Sequence, residues 1–384
     1  MLRRNIKKII KRLDYNHYET YNVIEISRNN LLHNLHFFQN QNPNQLVIPV
    51  IKSNAYGHGL REVSSILESA GVKLVAVDGY FEASTVIETT ACDVLVMGAI
   101  RSENAHIVNT KRCSFVVQDI DTLRAFAELN KKVRIHLELN TGMNRLGLSE
   151  DELAPYLSFL KSNPQLQLEG VMSHLADADN PSNDFTITQA KLFNSMVDQI
   201  LSEGWNPKYI HLAQTAGTTK ISNHQTNALR LGIGLYGINP LQPGDKQYQN
   251  LEKLKPVLSL KSTVIKVQEL AKGDKVSYNG IFTALSPTSI GVLPLGYYEG
   301  YPRSLSNKGI VTYKQKPQPV VGRVCMNHTM INITDSGAKV GSVVTLIDSD
   351  QDAPNSVKNI CKDYDLFSYQ LVTGLSEKVK RIVV

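Results

Sequence analysis

Short apolar runs alternate with helix-like segments over residues 21–240, and this alternation limits the possible fold more than any other feature. The runs typical of buried strands are Leu46–Ile51, Leu74–Val77, Val94–Met97, Phe115–Val117, Val133–Leu139, Leu168–Met172 and Ile210–Ala213. Segments of helical periodicity, such as Arg61–Ala70 and Asp184–Leu201, lie between them. This pattern favours βαβ units and a parallel sheet. About eight units in roughly 220 residues suit a (β/α)8 barrel of the TIM type, and no dinucleotide fingerprint follows the first strand to favour a doubly wound sheet.

The pattern changes after Pro240. Residues 257–347 carry β-rich stretches separated by glycine, proline and asparagine, and the helix signals largely stop there. We therefore expect an α/β protein in which the barrel is followed by a mostly β C-terminal domain. The expected boundaries are a basic N-terminal extension at 1–20, the barrel at 21–245 and the β domain at 246–384.

The net charge of +6 belongs to the first twelve residues, which hold six lysines and arginines and no acid. Without these six, 35 basic residues remain against 35 acidic residues. The body of the chain is neutral, so nucleic-acid binding has no electrostatic support. The apolar residues of this arm have near-helical spacing and could form a short amphipathic helix, although a solvated extension is the more common outcome.

No apolar run approaches the roughly 20 residues that cross a bilayer, so we expect no stable membrane insertion. The arm also lacks the apolar core of a secretory signal. The four cysteines, Cys92, Cys113, Cys325 and Cys361, have no metal-ligand spacing. They predict reduced thiols in a cytoplasmic protein without a metal site.

The octapeptide Lys52–Gly59 follows the first predicted barrel strand. Barrel enzymes keep their chemistry at the carboxyl ends of the strands, where Lys52 would lie. A lysine amine there can form a Schiff base with a carbonyl cofactor, and Tyr56 can reach a phosphate. A lone lysine would indicate only a solvated strand end, but the whole octapeptide argues against that interpretation.

Residues Ile51–Gly59 closely resemble the lysine motif that binds pyridoxal 5′-phosphate (PLP) in alanine racemases, and the resemblance continues from about residue 20 to the C-terminus. It implies a PLP-dependent racemase that interconverts L-alanine and D-alanine and supplies D-alanine for peptidoglycan. Lys52 would hold PLP and act as the base on one face of the substrate, and Tyr278 would act on the other. The resemblance implies further PLP contacts by Tyr56, His174, Thr215, Arg230, Gly232, Ile233 and Tyr369.

Strand alternation in Val133–Leu139 places His136 and Glu138 on the same face, which points into the barrel. The resemblance implies that Arg145 contacts the phenolic oxygen of PLP and the substrate carboxylate. The family commonly has a carbamylated lysine where this chain has Glu138. We expect the glutamate to replace that anion and to hold Arg145 by a charge-assisted hydrogen bond.

Arg230 faces the pyridine nitrogen of PLP if the resemblance holds. Arginine can only donate hydrogen bonds, so the nitrogen stays largely unprotonated and the ring is a weaker electron sink, which suits racemisation better than transamination. The ordinary pKa of a tyrosine is about 10, so a base role for Tyr278 requires neighbours that lower it, and the resemblance implies a chain of His174, Arg230 and His211 for that purpose.

The resemblance places Tyr278, Cys325 and Met326 in the site of a neighbouring subunit, which implies a head-to-tail homodimer with shared active sites. Met326 would contact the substrate, with Tyr297, Cys325 and Asn327 in supporting positions. Asn327 departs from the family, which usually has aspartate there.

Three alternatives remain at this stage. Glu138 and Asn327 leave open a serine or broad-specificity racemase. A barrel-type PLP decarboxylase of basic amino acids would have an acid at the pyridine nitrogen, and Arg230 argues against it. A non-enzymatic PLP-binding protein would lack the large β domain and the second base.

Overall fold

The computed structural model describes residues 19–221 and 225–384. The predicted fold class, a (β/α)8 barrel followed by a mostly β domain, is confirmed. The predicted basic extension at 1–20 lies outside the described residues apart from its last two. No helix of the described residues has both the length and the apolar character needed to cross a bilayer.

Strand β1 (Asn22–Ile26) precedes a barrel of eight parallel strands that stand in sequence order. The barrel strands are β2 (Leu46–Pro49), β3 (Leu74–Val77), β4 (Asp93–Val96), β5 (Cys113–Val117), β6 (Val133–Glu138), β7 (Leu166–Met172), β8 (Tyr209–Gln214) and β9 (Ala228–Leu231). A parallel bridge between Val50 and Ala76 closes the ring, and the Ile51 N–H donates to the Ala76 carbonyl at 2.8 Å.

Helices surround the barrel where the connections are long enough to form them. They are α1 (Arg28–Gln41), α2 (Leu60–Ser69), α3 (Tyr80–Thr89), α4 (Ile120–Ala127), α5 (Glu150–Ser162) and α6 (Asp184–Ser202). Each has an apolar face that packs on the sheet; in α2 the buried side chains include Val63, Ile66 and Leu67. The shorter connections after β4 and β8 form only the 3-10 turns Ser102–Ile107 and Gly217–Thr219.

Period-two alternation divides the barrel strands between two cores. Ile48, Ala76 and Leu95 belong to the cluster inside the barrel, whereas Val47, Val75 and Val94 pack outward in the main core. This division directs the polar side chains of β6 inward, as predicted.

Residues after the barrel form β10 (Leu258–Thr263), β11 (Lys266–Leu270), β12 (Lys275–Val276), β13 (Phe282–Thr283), β14 (Thr288–Leu293), β15 (Ile310–Tyr313), β16 (Lys316–Pro319), β17 (Thr329–Asn332), β18 (Val343–Ile347) and β19 (Lys380–Val383). Three short helices accompany them, α7 (Tyr248–Leu251), α8 (Val357–Tyr364) and α9 (Ser368–Thr373). The larger sheet has the order β16-β15-β18-β10-β1-β19.

Strand β1 therefore belongs to the sheet of the C-terminal domain, although the sequence assigned residues from 21 onward to the barrel. It pairs antiparallel with β10 and parallel with β19. No local signal in a five-residue apolar strand reveals a partner more than 200 residues away. The proposed boundary near residue 245 stays a prediction.

Candidate active site

A cavity of about 630 Å³ lies at the carboxyl ends of the barrel strands. The position matches the face where barrel enzymes carry their chemistry. The predicted site residues that line it are Lys52, Tyr56, Glu138, Arg145, His174, Thr215, Arg230, Gly232, Ile233 and Tyr369. The fold therefore brings together side chains that are up to 317 positions apart in the sequence.

Lys52 follows β2 after Val50 and Ile51, at the start of a turn with unusual backbone geometry. The four following residues, Ser53–Tyr56, have φ of 54°, 53°, 53° and 53°. The left-handed conformation costs about 1–2 kcal/mol for each residue that has a side chain. The rest of the structure must therefore hold this turn in place.

Glu82 and Arg381 hold the turn at its two ends. The Glu82 Oε1 atom accepts hydrogen bonds from the backbone N–H groups of Ser53 at 2.5 Å and Asn54 at 3.4 Å. At the other end, Arg381 donates to the Gly57 carbonyl through Nη2 at 2.8 Å and Nε at 3.3 Å. The Lys52 Nζ atom extends from the turn into the cavity.

Asp78, at the carboxyl end of β3, forms an ion pair with Lys52, with 3.2 Å between Oδ1 and Nζ. Both side chains are partly exposed to the cavity, Lys52 by 35% and Asp78 by 59%. Sequence analysis missed Asp78, Glu82 and Arg381. The available signals were a carboxylate directly after a predicted strand and the capping position of Glu82 in α3.

Arg230 is buried beneath the cavity, where carbonyl groups and histidines fix its guanidinium group. Its Nη2 donates to the Ser173 carbonyl at 2.5 Å and the Leu212 carbonyl at 3.1 Å, and lies 3.4 Å from Nδ1 of His174. Its Nη1 donates to Nδ1 of His211 at 2.8 Å. His211 lies below Arg230 and does not line the cavity.

Burial sets the charge of this cluster. It lowers the pKa of Arg230 to about 10, so the guanidinium stays protonated at neutral pH. Burial, together with the positive charges of Arg230, Arg145 and Lys52, lowers the pKa of His174 to about 3. Burial and Arg230 likewise hold the pKa of His211 well below its usual range. Both histidines are neutral and can accept hydrogen bonds.

A cradle of hydroxyl groups and close backbone lies on the other side of the cavity. A Cβ atom on Gly232 would lie 3.0 Å from the Tyr56 hydroxyl and 3.8 Å from Oγ1 of Thr215, so only glycine leaves this space open. Burial raises the pKa of Tyr56 to about 12, which keeps its hydroxyl a neutral donor. The Tyr369 ring lies 6.1 Å from the Tyr56 ring. Neutral donors around an open space fit a phosphate group.

Glu138 is buried and contacts Gln118 rather than Arg145. The Gln118 Nε2 donates to Oε2 of Glu138 at 3.1 Å. The predicted hydrogen bond from Arg145 to Glu138 is absent from the described residues; Arg145 lies in an exposed loop at the cavity mouth. Gln118 follows β5, which pairs with β6, so its side chain lies next to the Glu138 carboxylate.

The predicted site residues of the β domain lie away from this cavity. Tyr278 is 71% exposed and Met326 is 54% exposed. In the described structure, neither they nor Tyr297, Cys325 and Asn327 line the cavity. The Asn327 Nδ2 donates to Oε1 of Glu299 at 2.8 Å. An aspartate at 327 would lose this hydrogen bond and place a second carboxylate beside that of Glu299.

Family models match most of the chain. The model described as alanine racemase, N-terminal domain, matches residues 26–240, and that described as alanine racemase, C-terminal domain, matches residues 257–383. A curated alanine racemase from Leptospira interrogans is 31% identical over 375 residues, which cover 94% of this chain and 95% of that protein.

Solved structures are similar over almost the whole length. An alanine racemase from Clostridium difficile superposes with a TM-score of 0.88 at 26% identity, covering 96% of each chain. An alanine racemase from Bacillus anthracis, solved with bound L-Ala-P, has a TM-score of 0.87 at 27% identity, again covering 96% of each chain.

Proposed function

Because the chain belongs to the alanine racemase family, we propose that it interconverts L-alanine and D-alanine with PLP as its cofactor. The observation that carries this proposal is one cavity that combines the Lys52 amine, a cradle of neutral hydroxyl donors and a buried Arg230. The amine, the cradle and the guanidinium match the aldehyde, phosphate and pyridine nitrogen of PLP in chemical type. Alternatives without a PLP cofactor would not need all three together.

Each part of the cavity has a role in binding. Lys52 holds the cofactor covalently, and the cradle formed by Tyr56, Thr215 and the backbone of Gly232 and Ile233 binds its phosphate. Tyr369 closes the cradle beside Tyr56. Bound PLP supplies an electron sink that acidifies the α C–H bond of an amino acid.

The remaining residues control the proton and the charge. The Lys52 amine, when free of the cofactor, would take or return the α-proton on one face of the substrate. Arg230 would offer only donors toward the ring nitrogen of bound PLP, so the nitrogen would stay largely unprotonated and the ring would be a weaker electron sink, which disfavours transamination. Arg145, at the mouth of the cavity, pairs with the substrate carboxylate.

We further propose that Tyr278 is the base on the opposite face and that it comes from a partner subunit. Its exposed position outside its own chain's cavity, shared by Met326, supports a homodimer in which these loops enter the partner's site. His174 and Arg230 would then face the incoming tyrosine hydroxyl. The D-alanine product would supply peptidoglycan synthesis in the cytoplasm.

Purified protein saturated with PLP tests this function directly. L-Alanine, L-serine and L-lysine are incubated separately, and the products are resolved by chiral chromatography. We expect D-alanine to form fastest and a Lys52→Ala variant to be inactive. Faster racemisation of serine than of alanine would show that serine is the substrate. Release of carbon dioxide from lysine would show that the enzyme is a decarboxylase and not a racemase.

Cofactor attachment has its own measurement. Borohydride reduction followed by peptide mapping should place the pyridoxyl label on Lys52, because it is the lysine that lines the cavity in the described structure. A label on another lysine would overturn the assignment of the cavity.

A further inference from the structure

Two buried groups below Arg230 have no role in the proposed reaction, although they extend its hydrogen-bonded chain down the barrel. His211 and His136 are both fully buried. The Nε2 atom of His211 lies 3.0 Å from Nδ1 of His136, and Nε2 of His136 lies 3.4 Å from Oε2 of Glu169. The chain therefore runs from Arg230 to a carboxylate on β7.

The arginine determines the direction of every hydrogen bond in this chain. A guanidinium can only donate, so Nδ1 of His211 must accept from Arg230. Neutral His211 then carries its proton on Nε2 and donates it to Nδ1 of His136. Neutral His136 in turn carries its proton on Nε2 and donates to Glu169. Each histidine is left with one possible tautomer.

Glu169 is suited to accept the last hydrogen bond of this chain. Burial alone would raise its pKa, but hydrogen bonds from His136 and Ser114 and the charge of Arg134 lower it to about 2. Arg134 lies 3.6 Å from the other carboxylate oxygen. An ionised carboxylate has no proton to donate, so His136 cannot reverse its tautomer without losing its partner.

The backbone makes room for this arrangement. A Cβ atom on Gly170 would lie 2.3 Å from Nδ1 of His136, so a larger residue would displace the ring. Gly170 pairs with His136 where the register between β6 and β7 shifts. Burial also lowers the pKa of His136, which keeps the ring neutral.

We propose that His136 and Glu169 are positioning residues that fix the tautomer of His211 and thereby hold Arg230 in place for the reaction. This inference rests on the proposed function, since it assigns Arg230 to the cofactor ring. Without an acceptor at position 169, His136 can move its proton to Nδ1 and present a donor to His211. His211 must then present a donor to Arg230, and the guanidinium loses a partner.

The tautomers can be measured directly in the holoenzyme. Protein with ¹⁵N-labelled histidine is examined by long-range ¹H–¹⁵N correlation, with signals assigned from His136→Gln and His211→Gln variants. We expect the proton on Nε2 in both residues. A proton on Nδ1 of His211, or a doubly protonated ring, would overturn the proposal without requiring any variant of Glu169.

A matched pair at position 169 tests the consequence. Glu169→Gln keeps an acceptor and should retain both tautomers, whereas Glu169→Leu removes it and should shift the proton of His136 to Nδ1. The Leu variant should also lose at least about tenfold in kcat in both directions, with KM little changed, as expected when an imidazole loses the partner that orients it. Transamination per racemisation turnover should rise in the Leu variant only.

Two outcomes separate this inference from the proposed function. Unchanged tautomers and product ratio in Glu169→Leu would refute the positioning role while racemisation remains. A parental enzyme that racemises no amino acid would refute the proposed function. The measured tautomers of His211 and His136 would still show whether the hydrogen-bonded chain from Arg230 to Glu169 exists.

Discussion

Glu138 is the residue at which this chain departs most clearly from its family, and its surroundings explain how a glutamate can serve there. The side chain is buried at the end of β6, and Gln118 holds one carboxylate oxygen. Its charge raises the pKa of Arg230, opposing the effect of burial. An anion is therefore already present in the cavity, and carbamylation has no lysine on which to act.

We predict that activity is insensitive to bicarbonate and that Glu138→Gln raises the KM for alanine by about tenfold, roughly 1.4 kcal/mol, because the buried carboxylate that offsets the positive charge of Arg230 is lost. Steady-state kinetics with and without bicarbonate measure both effects. Glu138→Asp is the control that retains the charge, and its KM for alanine should lie between those of the parental enzyme and the Glu138→Gln variant. A Glu138→Gln enzyme with parental KM would mean that Gln118 and Arg145 position the substrate without the anion.

At the scale of elements, the turn after β2 determines where the Lys52 amine lies. Glu82 supplies two carboxylate oxygens to four backbone N–H groups, those of Ser53 and Asn54 and, at 3.0 and 3.3 Å, those of Asp78 and Gly79. A glutamine at this position has only one acceptor oxygen, so one of the two pairs of backbone N–H groups would lose its acceptor. The same carboxylate thus caps α3 and fixes the turn.

We predict that Glu82→Gln and Arg381→Lys each lower the free energy of unfolding by about 2–3 kcal/mol and slow PLP loading, because each loses charge-assisted hydrogen bonds to the strained turn. Denaturant titration and the rate of absorbance change on PLP addition measure the two effects. Arg61→Lys is the matched control, since its ion pair is exposed and should change stability by less than about 0.5 kcal/mol. Parental loading rates in both variants would show that the turn holds its shape unaided.

The elements differ in how far their sequences predicted them. Barrel strands such as Leu74–Val77 were evident, because burial on both faces leaves a continuous apolar run. The left-handed turn Ser53–Tyr56 was not, because serine, alanine and tyrosine do not favour positive φ and contacts from Glu82 and Arg381 impose it. The motif predicted a cofactor lysine but not the geometry that presents it.

The sequence predicted some residues of the candidate site and missed others. Residues in recognisable motifs, such as Arg230 and Thr215, converge on one cavity. Asp78 directly follows β3 and Glu169 lies within β7, and only tertiary pairing with Lys52 and His136 gives these carboxylates a role. Such pairing is set by the register of neighbouring strands, which local patterns do not encode.

For the whole molecule, the buried histidines predict acid sensitivity. Burial lowers the pKa of His58 to about 4 and of His174 to about 3, and lowers those of His136 and His211 as well. An unfolded histidine titrates near 6.5, so the unfolded state binds more protons below that pH and stability falls as the pH falls. Each buried histidine should cost up to about 2 kcal/mol at pH 5.

We therefore predict that Tm falls steeply between pH 7 and pH 5 and that unfolding at pH 5.5 takes up close to one proton per buried histidine. Scanning calorimetry and potentiometry measure these quantities. His58→Gln should remove about one proton of the uptake, since its ring is fully buried against the Tyr56 carbonyl. A Tm that is constant from pH 7 to pH 5 would contradict the assigned neutral state.

If active sites are shared between subunits, two inactive variants should recover activity when their chains form mixed dimers. Lys52 lines the cavity of its own chain, whereas Tyr278 is exposed outside it. If each site combines Lys52 of one subunit with Tyr278 of the other, a mixed dimer of Lys52→Ala and Tyr278→Ala chains has one site lacking both residues and one site lacking neither. Random exchange makes half of the dimers mixed, so inactive parents should recover about one quarter of the parental activity.

The matched control is a mixture of Lys52→Ala with Arg145→Ala. Both residues line the same cavity of one chain, so every mixed dimer has two damaged sites and should stay as inactive as its parents. Subunit exchange is verified with tagged chains before the assay of L-alanine. Recovery in the first mixture alone requires Tyr278 to act across the interface. Verified exchange without recovery would place the second base in the same chain as Lys52 and leave the exposed Tyr278 without a catalytic role.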